Sequence, residues 1–563
     1  MHSTAEQYRE ASQRISTPHA VKGILDDEVR LNYGHVDESN PIARSAAAER
    51  GGANMYGASS IQVFATGDPT LSHTHEDSDG WANYVAQFTP LNFRFRDSGV
   101  STWEYLDPWD DWQDTYGVDA VRAFYHSGHG GMNSSGVFFA PLGAAWGNRG
   151  AYARSDQMSV ANQHARYLFF STCFSCRVLD GQTPIRTWNG ANNGLRMLFG
   201  YETTSVDAGN YGSAFWNHWN RNKSFSQAWL DASWYDISTH QAPSAFAWGS
   251  VSSDASNRLY NERLFYADAV PRNWYQWRWY YAAASARAQR AANRQLPARV
   301  AIAHLEPRSA TPSLVRDLFE RLPLELSLPR EMVARPGGTF TMGEAGRRIS
   351  IAGDGSFDAA FAEANRHNHS ALPLQRAIAA AHEFVRQVGL GGEGVVFDRV
   401  IHNWENGGSP VGSGSLETPR VTESLVQFTQ VVNGLPVIPP GQGKVTVRLD
   451  NDQRVIGVTD STRAVAGLVD ASPATPPPPG QPEPARTEGR DPEDVLADAW
   501  QRRMKGFVID GRMPRGFATV PGSFEVGYAF RGNSAILVAR QEVEVDLGHG
   551  LFKRYVLEEP IVG

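Results

Sequence analysis

Residues 120–131 read AVRAFYHSGHGG and residues 165–176 read ARYLFFSTCFSC. Each is a short apolar run that stops at a reactive side chain, His129 in the first and Cys173 in the second, 44 positions apart (173 − 129). Runs this short, rich in Val, Phe and Tyr, predict strands. In open α/β sheets ligands bind in the crevice outside the carboxyl ends of parallel strands. Two adjacent strands ending in His129 and Cys173 would therefore set a base beside a nucleophile, the geometry of a cysteine hydrolase.

Working outward, strands are expected over 60–64, 93–95, 121–125, 167–172 and 195–201, alternating with helices around 79–88, 108–116, 155–164 and 210–222. Such alternation predicts an α/β fold whose mostly parallel sheet is flanked by helices on both faces. A right-handed crossover through the 155–164 helix would bring the His and Cys strands together. Fourteen of the sixteen Trp lie between Trp81 and Trp279, so the first half carries a different kind of core from the second. From 273 to 299 an aromatic block (Trp274, Trp277, Trp279, Tyr280, Tyr281) runs into an expected Ala/Arg-rich packing helix.

An apolar strand ending in His129-Gly130, a crossover of about forty residues, and an apolar strand ending in Cys173 together resemble the caspase-like cysteine peptidases, the group of caspases, legumains, gingipains and clostripain. The tract 194–233, with a helix expected to start at Lys223-Ser224, looks like the part of that fold that follows the cysteine. The resemblance covers roughly residues 59–233 and implies peptide-bond cleavage by a His-Cys dyad with no third member required.

The carboxyl half has another grammar. An amphipathic helix is expected over 372–390, with Ile378, Ala381, Phe384, Val385 and Val388 on one face, then strands over 394–404, 425–432, 444–449 and 454–459. Asn433-Gly434 and Asp450-Asn451-Asp452 are turn sequences that tolerate positive φ. The segment 424–461 resembles the propeptide fold of thermolysin-like and fungalysin-like proteases, related to PepSY domains, which chaperone or inhibit the protease they accompany. A Pro-rich spacer, 472–494, precedes a second helix over 495–504 and a further strand meander. The expected organisation is an amino-terminal extension (1–56), a caspase-like domain (57–300), an α+β cystatin/PepSY-like domain with an antiparallel sheet (301–471), the linker, and a smaller α+β unit (495–563).

A chain of 563 residues is too long for one core. Its net charge of −8 argues against nucleic acid as the main partner, and no apolar run is long enough to span a bilayer. Without a basic region followed by an apolar one, the amino terminus reads as lacking a secretory signal, so the protein is expected inside the cell, or outside with a signal already removed. Two cysteines exclude a disulfide scaffold. Their CxxC spacing fits one nucleophile with a bystander, a redox dithiol, or half of a zinc site whose other ligands would have to be histidines. No metal or other cofactor is expected; the partner is a peptide or protein substrate, with intramolecular contact between the carboxyl-terminal and catalytic domains open.

In the leading reading, the Cys173 thiolate attacks a carbonyl, His129 moves the proton, and the N–H groups of Gly130 and Cys173 hold the oxyanion. His126 is an alternative base or a neighbour that tunes the site, and Cys176 is an auxiliary thiol. Glu202 and Asp207 follow the strand after Cys173 and would favour Arg or Lys in a substrate; solvated loop carboxylates are the simpler reading. His73, His75, Glu76, Asp77 and Asp79 read as metal ligands or as a polar loop capping a helix, and Asp107, Asp110, Asp111 and Asp114 as a helix start. Arg287, Arg290, Arg294 and Arg299 read as a solvated helix face. The competing functions are a catalytically silent binding or scaffold protein on the same fold and a CxxC dithiol oxidoreductase.

Overall fold

The computed structural model describes residues 55–146, 150–177, 188, 190–285, 301–326, 340–344, 346–410, 417–470, 491–509 and 514–561. The segment 1–54, the four arginines between 287 and 299, and the Pro-rich stretch 471–490 lie outside the described residues. In chain order the first strands are β1 (Tyr56–Ser60), β2 (Phe93–Arg96), β3 (Ala123–Ser127), a small antiparallel trio β4 (Gly131–Met132), β5 (Phe138–Pro141) and β6 (Tyr152–Arg154), then β7 (Tyr167–Ser171) and β8 (Met197–Tyr201). Strands β2-β1-β3-β7-β8 pair in parallel in that order.

The central strands β3, β7 and β8 are largely apolar because both of their faces are buried. Alternation sends Tyr125, Phe169 and Phe199 to one face and Phe124, Leu168, Phe170 and Leu198 to the other. On the first face they meet α1 (Thr74–Val85), through Trp81 and Val85, and two later helices through Phe215, Trp216, Trp229 and Leu230. The second face differs from expectation. It is covered by short 3₁₀ turns, by α2 (Asp110–Tyr116) and by the β4–β6 trio, with Trp103, Trp146 and Trp188 filling the space. The helix expected over 155–164 is only the 3₁₀ turn Ser155–Gln157. Its place is taken by a chain pinned to Asp119, whose carboxylate accepts the N–H groups of Gln163, His164 and Ala165.

The helices on the first face are α3 (Tyr211–Trp219) and α4 (Phe225–Tyr235); Ser224 caps α4 by accepting the Gln227 N–H. Strands β9 (Pro243–Gly249) and β10 (Trp274–Ser285) then continue the sheet antiparallel, with α5 (Ser252–Asn261) between them. β10 is a strand to Ser285, so the expected transition to helix does not occur in the described part of 273–299.

The sheet does not stop there. β11 (Ala301–Leu305) leaves for a second sheet, while β12 (Phe340–Glu344), β13 (Arg347–Ile351), β14 (Phe357–Ala360), β15 (Val395–Gly408), β16 (Arg420–Val432), β18 (Lys444–Asp450) and β19 (Val455–Asp460) extend the main one in the order β12-β13-β14-β19-β18-β16-β15-β10. At the seam Trp279 of β10 stacks on Trp404 of β15 at 6.1 Å. The architecture is thus α/β with one large mixed sheet in which antiparallel pairs outnumber parallel ones, and the antiparallel strands of the second half continue the first sheet. Helices α6 (Pro312–Arg321) and α7 (Leu374–Val388) cover this half; Ala377, Ala381, Val385 and Val388 of α7 face Val426, Val447 and Val458. Asn433 and Gly434 both take positive φ (48° and 79°) in the tight turn into β17 (Leu435–Pro436), as Asn-Gly chemistry requires.

The second sheet contains β11, β20 (Val465–Asp470), β21 (Gly516–Thr519), β22 (Glu525–Arg531), β23 (Ser534–Gly548) and β24 (Leu551–Pro560), with α8 (Pro492–Ile509) packed on β23 and β24. Its strands come from both sides of the Pro-rich stretch, so the helix and meander after residue 491 share their sheet with earlier residues.

Candidate functional site

The register of the parallel strands decides what meets at their carboxyl ends. Ser127 of β3 is paired with Ser171 of β7, which puts His129 and Cys173, each two residues further on, at the same level of neighbouring strand exits. The exits are in close contact: the Gly128 N–H donates to the Ser171 carbonyl at 3.5 Å, and a Cβ on Gly130 would lie 2.4 Å from the Cys173 carbonyl oxygen. Only glycine lets the two chains approach this closely. Asp77 of α1 fixes the end of β3, its carboxylate accepting Tyr125 Oη–H and Ser127 Oγ–H, both at 2.7 Å, and the Gly212 N–H of α3 at 2.9 Å.

His129 is fully buried, with its ring 4.6 Å from Phe64. Its Nε2–H donates to the Pro69 carbonyl at 2.9 Å, which leaves the lone pair on Nδ1, a buried atom with no hydrogen-bond partner among the described residues. Burial, reinforced by the Lys553 ammonium, pushes the imidazole down to about 4, so it is neutral near pH 7. Cys173 is also fully buried. Its Sγ accepts the Ser205 N–H at 3.3 Å, lies 3.4 Å from Ser205 Oγ, and donates to the Phe552 carbonyl at 3.1 Å. The next residue, Phe174, takes φ 60°, a left-handed conformation unfavourable for an aromatic residue and typical of strain held at functional turns. Among the described residues neither the Gly130 N–H nor the Cys173 N–H has a hydrogen-bond acceptor.

The other expected residues fall in different places. His126 points into the second-face core, where its Nδ1 meets Tyr105 Oη at 2.9 Å and burial pushes it down to about 3; it stands among Tyr105, Phe124 and Phe170 as a core histidine. Cys176 sits in that same core, and burial, with the Glu202 carboxylate nearby, raises its thiol well above the ordinary range. The two free thiols thus belong to separate apolar clusters, Cys173 lying with Met132, Phe174 and Phe552. Glu202 and Asp207 are not solvated loop carboxylates: both are buried. Asp207 accepts the Ser72 N–H at 3.1 Å and pairs with Arg503 at 3.2 Å.

The acidic and histidine run at 73–79 is neither a metal site nor a capping loop, since it forms the first turns of α1. Among the described residues no group of three His, Cys, Asp or Glu could hold a metal ion. His75 bridges Ser60 and Asp97, and Asp79 pairs with Arg94 and Arg96. An open cavity of about 550 Å³ lies away from His129 and Cys173, lined by Lys223, Asp358, Lys444 and Asp460 among others.

Residues that sequence reasoning missed are Pro69, Ser205, Phe552 and Lys553. Only the last pair left a trace, since Lys553-Arg554 interrupts an otherwise apolar run, 551–557. Residues 58–281 match the family model named Domain of unknown function (DUF6345), a span that holds the parallel part of the sheet from the third residue of β1 and ends within β10. No curated protein and no solved structure matches the chain.

Proposed function

We propose that this protein is a cysteine endopeptidase built on a caspase-like parallel core, with Cys173 as nucleophile and His129 as the group that moves the proton. The observation that carries this reading is the strand register that sets a neutral histidine, with an unpartnered Nδ1, level with a cysteine on the next strand exit. Cys173 Sγ forms a bond to the peptide carbonyl carbon as its proton passes to His129 Nδ1. The carbonyl oxygen becomes an oxyanion within reach of the unused N–H groups of Gly130 and Cys173. Collapse breaks the C–N bond, the imidazolium returns the proton to the departing amine, and water then hydrolyses the thioester. The Pro69 carbonyl holds the ring in the tautomer this needs. The carboxyl-terminal units, similar in sequence to PepSY-like folds, would regulate the site or present substrate to it. The sealed surroundings of Cys173 favour one competing reading, a silent binding module.

The test is an electrophilic peptide probe, with the modified residue mapped by mass spectrometry in wild type, His129→Ala and Cys176→Ser, each also carrying Arg503→Ala, which releases Asp207 from its ion pair to the carboxyl-terminal segment that covers Cys173. Selective labelling of Cys173 that drops at least tenfold in His129→Ala and persists in Cys176→Ser is the expected result. Equal, slow labelling of both cysteines that ignores His129→Ala would refute the peptidase reading. Dithiol redox activity lost in Cys176→Ser would replace it with the oxidoreductase.

A further inference from the structure

Cys173 is sealed by a segment almost four hundred residues later in the chain. The β23–β24 hairpin turns through three consecutive left-handed residues, Gly548 (φ 84°), His549 (55°) and Gly550 (70°), and delivers Phe552, Lys553 and Arg554 onto the strand exits. These three residues are at most 4% exposed. The contact is made by backbone as well as side chains: the Arg554 N–H donates to the Ser205 carbonyl at 3.2 Å, and the Asp207 N–H donates to the Arg554 carbonyl at 2.8 Å. Residues 205–207 therefore pair with β24 in parallel at a single bridge, with Val206 opposite Arg554, the kind of backbone contact an extended peptide could make.

Side chains complete the seal. The Phe552 ring packs edge-on against Phe174 at 6.4 Å, and Lys553 Nζ donates to Ser205 Oγ at 3.2 Å. Side chains of the same carboxyl-terminal unit meet the acids around the exits, Arg503 on Asp207 at 3.2 Å and His549 on Asp68 at 3.4 Å. The thiol itself donates to the Phe552 carbonyl, and no hydrogen bond joins it to His129 among the described residues.

We infer that β24 is an internal occupant of the substrate groove, and that an extended peptide gains Cys173 only when residues 551–555 are displaced from the edge at Ser205–Asp207. The inference rests on the peptidase reading for what the groove binds, while the covering of the thiol is a matter of geometry. Displacement would free the backbone groups of residues 205–207 for a peptide strand and take the Phe552 carbonyl off Sγ, leaving the thiol to the imidazole.

Two probes separate the questions. Iodoacetamide, small and neutral, reads access to the thiol, and the electrophilic peptide reads the His-assisted nucleophile. Both are applied to the full chain as wild type, Phe552→Ala, and the milder Arg503→Ala, which touches no residue of the dyad. The seal predicts Cys173 alkylation at least tenfold slower than in urea-unfolded protein, and a several-fold gain in both variants. It also predicts that a synthetic peptide of residues 549–557 slows peptide-probe labelling of Arg503→Ala. Alkylation that rises without any His129-dependent peptide labelling would keep the seal and refute the peptidase. Wild-type alkylation as fast as in the unfolded chain, and unchanged in both variants, would overturn the seal.

Discussion

Replacing Asp77 with alanine should unfasten the parallel core at the point where it presents His129. The Asp77 carboxylate is fully buried and accepts three donors, Tyr125 Oη–H, Ser127 Oγ–H and the Gly212 N–H. Asp77→Ala leaves all three without an acceptor in a dry interior. At about 1–3 kcal/mol for each unsatisfied group, the loss is roughly 3–6 kcal/mol, since the hydroxyls can recover part of it by rotating. Asp77→Asn behaves differently. Its amide oxygen keeps Tyr125 and Gly212, and its NH₂ can donate to Ser127 Oγ once that hydroxyl turns, so all three links survive without a buried charge. Burial already pushes the Asp77 carboxyl above its ordinary value, which places a neutral side chain among the tolerated ones. Urea unfolding followed by tryptophan fluorescence reads this region directly, because Trp81 stacks on Tyr125 and most of the tryptophans lie in the first half. The expected order of stability is wild type and Asn within about 1 kcal/mol, with Ala well below. A loss under about 1 kcal/mol in Asp77→Ala, or an Asn variant as weak as Ala, would refute the account of how β3 is held.

A second outcome concerns pH. Glu104 is fully buried, accepts from Ser59 and the Ser101 N–H, and burial pushes it up to about 8. A carboxyl raised on folding contributes stability that is complete below its unfolded value near 4.5 and fades as pH rises through 8. The melting temperature of Glu104→Gln relative to wild type should therefore climb between pH 5 and 9, and a pH-independent difference would contradict the assignment. A third concerns Gly130, where an added methyl would sit 2.4 Å from the Cys173 carbonyl oxygen and 2.8 Å from Thr172 Cβ. Gly130→Ala should cost about 1–3 kcal/mol and displace the thiol, so unfolding should weaken along with His129-dependent labelling; unchanged stability and labelling would show that the strand exits are looser than described.

Four of the five parallel strands and most of their helices were legible because burial writes continuous apolar runs, and because His129 and Cys173 terminate two of them; the strand expected over 60–64 is instead β1, Tyr56–Ser60, and residues 61–64 form the bend that follows it. Other elements were not. Ala282 and Ala284 are helix formers, yet both lie in the β10–β15 ladder, opposite Ile401 and Val400, and tertiary pairing overrides propensity. Residues 155–164 look helical, but the Asp119 carboxylate collects three of their neighbouring N–H groups and Ala161 takes φ 71°, which no helix allows. The joining of the two halves into one sheet depends on β10 meeting β15, a pairing across more than a hundred residues that leaves no local periodicity. Burial of Glu202 and Asp207 follows from what packs on them, Ser72 and Arg503 in the second case, and neither neighbour is near in sequence.

The separation between Cys173 and Phe552 is 379 residues, which gives the thiol a history in time. At ribosomal rates of about 5–20 residues per second, roughly 20–75 s pass between synthesis of the nucleophile and synthesis of the strand that covers it. Every strand of the parallel core, β1 to β8, is complete by Tyr201, so that core can take shape on the nascent chain during this interval. On that schedule the thiol can stand uncovered on the nascent chain until the β23–β24 hairpin is made.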